Sequence, residues 1–120
     1  MSNTELPIVG VTMQSVTRGS DGRGDYIEFA SVDGRKWEMY HGQDCCESVD
    51  IEDIDGELSD LEGTPISFAY ESSMAYPGAS ESGTWTFYRI GTNKGTVVIR
   101  WLGQSNGYYS EGVYFGEVKS

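Results

Sequence analysis

The chain has 120 residues and a formal net charge of −11, with 38% hydrophobic and 12% aromatic content. That length fits one domain, residues 1–120, able to bury a core without disulfides or metals. The charge excludes passive binding to nucleic acid or an anionic membrane, which needs Lys and Arg, and no apolar run approaches membrane-spanning length.

The N-terminus, MSNTELPIVGV, lacks the basic and long apolar regions of a signal peptide. IVGVTMQSVT (8–17) is rich in β-branched residues and predicts a strand. RGSDGRGD (18–25) reads as a glycine turn. DYIEFASV (25–32) alternates, with Ile27 and Phe29 on one face and Tyr26 and Glu28 on the other. Asp33-Gly34 is the favoured dipeptide of a two-residue type I′ hairpin, and RKWEMYH returns as its partner, with Trp37, Met39 and His41 on one face. Val49 and Ile51 alternate and Ile54 falls out of step, which predicts a strand ending in a bulge or bend. DGELSDLEG (55–63) is the one helix-like piece, with Asp55 placed to cap, acids in the first turn and Gly63 placed to stop it. Pro65 opens a strand over TPISFAYESS, and MAYPGASESG (74–83) reads as a loop. TWTFYRIG, TVVIRWLG and YYSEGVYFGEV then predict a meander in which strand 84–91 pairs with 95–102, and 95–102 with 108–116. Val97, Ile99 and Trp101 share one face, and Val98, Arg100 and Leu102 the other. Both faces are largely apolar, so this strand should lie inside its sheet. The expected fold is mainly β: an antiparallel sheet or meander, as a compact sandwich or half-barrel, with one short helix near 55–62.

Residues 41–63 hold the only His, both Cys and nine acids. Zinc would need three or four ligands converging, but Cys45 and Cys46 are neighbours that point to opposite sides of an extended chain. A disulfide between them would strain the intervening peptide, so free thiols in a cytoplasmic protein are expected. An EF-hand alignment with Glu62 at position 12 puts Ile51 at position 1, where an oxygen ligand is required. His41 with Cys45 or Cys46 and Asp44 could pair a nucleophile with a base, yet no family-specific cysteine signature surrounds them. No metal, cofactor or catalytic set is therefore expected. From Trp37 to Tyr88 there are twelve acids and no Lys or Arg, which predicts a solvated acidic face or a surface for a basic partner.

At the other end, Trp85, Tyr88, Trp101, Tyr108, Tyr109 and Tyr114 fall on predicted strands, with Arg89 and Arg100 among them. Aromatic rings interleaved with Arg suit the stacking of a base and the neutralising of a phosphate, although most such rings serve as core and cross-strand pairs.

HGQDCCESVDIEDIDGEL…DLEGTPI, SGTWTFYRI and GTVVIRWLGQSNGYYSEGVYF together resemble a domain family of unknown function found in bacteriophages and on integrated phage elements. The resemblance covers roughly residues 39–118, carried by H-x-x-D-C-C-E and SNGYYSE, and leaves residues 1–38 outside it. It implies a small intracellular phage-related protein and no established reaction. The expected function is counter-defence by sequestering a nucleotide-derived immune signal in the bacterial host cytoplasm, by a homo-oligomer with no direct nucleic-acid or membrane partner. Its expected ligand-binding residues are His41, Asp44, Glu47, Arg89, Arg100, Trp101, Asn106, Tyr108, Tyr109 and Glu111. The second reading uses acidic residues 44–62 to mimic nucleic acid and inhibit a basic host defence protein, a nuclease or CRISPR effector. The third is a hydrolase acting on such a signal, with His41 as acid or base.

Overall fold

The computed structural model describes residues 3–22, 24–43, 47–107 and 110–119. Among these residues nine strands run in chain order: β1 Thr4–Glu5, β2 Met13–Asp21, β3 Gly24–Ser31, β4 Lys36–Tyr40, β5 Ser48–Asp55, β6 Phe68–Ala75, β7 Ser82–Thr92, β8 Gly95–Ser105 and β9 Tyr114–Glu117. They form two antiparallel sheets, one ordered β1-β6-β7-β8-β5 and the other β2-β3-β4-β9. The sheets lie face to face as a sandwich, because period-two alternation gives each an apolar side to bury. Tyr88, Ile90, Val97, Ile99, Trp101, Val49 and Ile51 come from the first sheet, and Met13, Val16, Ile27, Phe29, Trp37 and Met39 from the second. The Trp101 Nε1–H donates across the sandwich to Met39 Sδ at 3.3 Å, which gives the buried indole its polar partner.

Several local expectations hold. β7 and β8 pair from Ser82↔Ser105 to Thr92↔Gly95, and β8 is flanked on both sides. The predicted irregularity is a bulge between Ile51 and Asp53 that leaves Glu52 as the extra residue.

Four expectations are corrected. The strand expected over residues 8–17 begins only at Met13, as β2, because residues 7–10 turn, with Gly10 at φ 87°. The β3–β4 connection is no type I′ turn, which would need two positive φ values. Gly34 alone has one (92°), and the Ser31 hydroxyl and Asp33 carboxylate close the loop onto Arg35. The short helix is a single 3-10 turn, Leu58–Leu61, without a side-chain cap, and Asp55 ends β5 instead. Carbonyls that a second helical turn would use are taken elsewhere: Lys94 Nζ donates to Ser59 O at 3.1 Å and Glu62 O at 2.8 Å, and Thr92 Oγ1 to Asp60 O. Glu62 accepts the Val16 N–H at 2.8 Å, while Leu61 plugs the core at 0% exposure. Finally, the C-terminal strand does not extend the meander. β7 and β5 already occupy both edges of β8, so the chain crosses to the other sheet, where β9 pairs with β4 from Trp37↔Glu117 to Tyr40↔Tyr114.

Candidate functional site

The polar corner holds that crossover in place. His41 is 4% exposed and the Glu47 side chain 0%. His41 Nδ1 lies 2.7 Å from Gly112 O, and Nε2 lies 2.9 Å from Glu47 Oε2. A carbonyl only accepts, so Nδ1 carries a hydrogen and donates it. One further proton is shared between Nε2 and the Glu47 carboxyl, as an ion pair or as a neutral pair. Glu111 fastens the same crossing segment to the first sheet. Its carboxylate accepts from Thr84 Oγ1 at 2.7 Å and from the Ser105 hydroxyl. Burial pushes the Glu111 carboxyl up, but the hydroxyls of Ser105, Thr84 and Ser82 outweigh it and hold it below its ordinary range. Gly103 lets the segment lie this close, since a Cβ there would sit 2.5 Å from Glu111 O.

Of the residues expected to bind a ligand, His41, Glu47 and Glu111 thus converge on one chain crossing, with their polar atoms turned onto the protein. Trp101 is a core residue at 0% exposure, so the expectation of a stacking surface there is corrected: its strand parity points it at the opposite sheet. Tyr88 is enclosed likewise, and burial, then the Glu71 carboxylate, push its phenol far above the ordinary range. Tyr114 lies on the second sheet, edge-on to Tyr40 at 5.4 Å. Asn106 is exposed in the turn after β8. Asp44, Tyr108 and Tyr109 lie outside the described residues, as do Cys45 and Cys46 with the expectation of free thiols.

The two arginines stand on the outer face of the five-stranded sheet. Directly opposed residues share a face, so the register gives three cross-strand rows: Glu5–Tyr70–Arg89–Val98–Asp55, Ser72–Phe87–Arg100–Asp53 and Met74–Trp85–Leu102–Asp50. Arg100 is committed. Its guanidinium lies 5.0 Å over the Trp85 ring and pairs with Glu52, the residue the bulge turns toward it. Arg89 is exposed and, among the described residues, has no ion-pair or hydrogen-bond partner.

Arg89 lines a hollow of about 250 Å³ with Asn3, Tyr70, Ser72, Met74, Phe87 and Val98. Phe87, Met74 and Val98 supply apolar surface. Ser72, facing Phe87 across the strands, is small enough to leave the space open. The side chains of Asn3, Tyr70 and Ser72 also make no hydrogen bond among the described residues, so one cation, two hydroxyls and an amide remain available around an apolar floor. That combination is what a small-molecule site requires. Apart from Arg89, sequence reasoning missed these residues. The signal was the second apolar face of β8, with no helix among the described residues long enough to cover it.

The remaining prominent surface is the sheet's far edge. β5 presents exposed Asp50, Glu52, Asp53 and Asp55, charges that discourage pairing with another strand. No helix among the described residues is long and apolar enough to cross a membrane.

A family model covers residues 7–115. The chain belongs to the family described as Domain of unknown function (DUF7448). The match takes in β2 to β4, so the family reaches well before residue 39, where the sequence resemblance began. It spans the His41–Gly112 and Glu111 fastenings and most of the hollow, leaving Asn3 outside. No curated protein and no solved structure matches the chain.

Proposed function

We propose that the protein is a binding protein that captures a small, planar, nucleotide-like anion on the outer face of its five-stranded sheet. One observation carries this: Arg89, Tyr70, Ser72 and Asn3 converge with unused polar groups on a hollow floored by Phe87, Met74 and Val98. A ring stacks on Phe87 and Tyr70, the guanidinium takes the anion, and hydroxyls and amide fix orientation. The hollow lies below the roughly 300–1,000 Å³ usual for drug-sized ligands, so it admits one base rather than a whole dinucleotide. The resemblance to phage-associated proteins supplies the biological setting: sequestration of a nucleotide-derived immune signal in the host cytoplasm, by a homo-oligomer. Capture needs no catalytic group, and the hydrolase reading loses support because its acid–base candidate, His41, is enclosed.

A thermal-shift screen of nucleosides and nucleotides, followed by heating the complex and recovering the ligand, tests the reading. Stabilisation, loss of it in Arg89→Gln and return of intact ligand are expected. No stabilisation by any member, or an unchanged response in Arg89→Gln, contradicts it. The second reading, inhibition of a basic host protein, is favoured by the exposed acids of β5. It predicts salt-sensitive binding of such a protein, lost when Asp50, Asp53 and Asp55 become Asn.

A further inference from the structure

Resting on that site reading, we infer that the hollow selects by charge: it takes a nucleotide bearing a single negative charge, a cyclic phosphodiester, over the same nucleoside with a terminal phosphate. Among the described residues, Arg89 is the only basic one lining the hollow. The neighbouring guanidinium of Arg100 is already neutralised by Glu52. The row that holds Arg89 ends in carboxylates on both sides, Glu5 on β1 and Asp55 on β5, each two strands away. Two strand spacings are about 10 Å, close to the screening length of about 8 Å at physiological salt. Both carboxylates therefore act on a ligand held at Arg89, and the whole chain carries −11. One ligand charge is matched by Arg89. A second charge shares that one guanidinium, gains no cation of its own, loses more hydration on entry and is repelled by Glu5 and Asp55. A phosphodiester carries one charge at every working pH, whereas a phosphate monoester carries about −1.5 to −2 at pH 7 and approaches one below its second pKa of about 6. The neutral donors Tyr70, Ser72 and Asn3 serve a sugar or base edge equally well in both ligands.

The test is calorimetric titration of the full chain with adenosine, adenosine 3′,5′-cyclic monophosphate and adenosine 5′-monophosphate, and with the guanosine series. At pH 7.5 and low salt the cyclic nucleotide should bind several-fold more tightly than the 5′-monophosphate. The ratio should fall toward one at pH 5, where the monoester loses its extra charge, and in 0.5 M salt. Arg89→Gln should reduce the cyclic nucleotide to the affinity of the nucleoside. Ser72→Phe, which fills the hollow from its open side, should abolish binding of all three. Equal or tighter binding of the 5′-monophosphate at pH 7.5 overturns charge selection while leaving the site reading intact. Absence of binding by every ligand, or binding untouched by Ser72→Phe, overturns the site reading itself.

Discussion

Removing the imidazole of His41 should unlatch the crossing between the sheets. In His41→Ala the Glu47 carboxyl, with its side chain 0% exposed, loses its imidazole partner, and the Gly112 carbonyl loses its donor. Breaking one side of a buried pair costs about 3–5 kcal/mol, a large share of the roughly 5–15 kcal/mol that holds a domain together. Replacing both members with apolar groups, His41→Phe with Glu47→Leu, removes the uncompensated buried carboxyl and leaves the Gly112 carbonyl to be satisfied. It should therefore cost only about 1–3 kcal/mol. Urea unfolding at pH 7, followed by tryptophan fluorescence, reads both. For a slope of about 2 kcal/mol/M the single variant's midpoint should fall by about 2 M, and the double variant should recover part of that loss. A single-variant loss below about 1 kcal/mol, or a double variant no better than the single, would refute the latch.

Three further outcomes follow from the same geometry. Gly103→Ala places a Cβ 2.5 Å from Glu111 O and should cost about 1–3 kcal/mol, whereas Gly22→Ala, with nothing within 4 Å, should be nearly silent in the same unfolding assay. Glu111 titrates below its ordinary 4.5 in the folded chain, so its stabilisation is complete above that value and drains away as pH falls through the lower folded value. Glu111→Gln should accordingly flatten the loss of urea midpoint between pH 6 and pH 3. The Arg35 side chain, then the Ser31 hydroxyl, hold Asp33 at about 2 against an ordinary 3.8; carboxyl NMR should find that midpoint, and Arg35→Gln should return it toward 3.8.

Much of the fold was legible because alternation is local. Ile27 and Phe29, Trp37 and Met39, and Val97, Ile99 and Trp101 each declare an inward face, and Ile54 out of step declares the bulge. The destination of β9 was not legible. Residues 108–116 read in sequence as the next strand of a meander, and only the prior claim of β5 on the free edge of β8 sends β9, Tyr114–Glu117, to the other sheet. The 3-10 turn was hidden for a similar reason: bonds from Thr92 and Lys94, more than 30 residues away, replace a second helical turn. At the site, the sequence singled out the densest polar motif, yet His41, Glu47 and Glu111 spend their polar atoms on the chain crossing. The hollow draws on residues far apart in sequence, Asn3, alternate residues of β6 (Tyr70, Ser72, Met74) and β7 (Phe87, Arg89), and Val98, and only cross-strand register assembles them.

Backbone and side-chain NMR during titration with a cyclic nucleotide tests the binding site most directly. The account predicts that the largest shifts fall on Tyr70, Ser72, Phe87 and Arg89 and vanish in Arg89→Gln. Shifts centred instead on His41, Asn106 and Glu111, or along the acidic strand Ser48–Asp55, would contradict it.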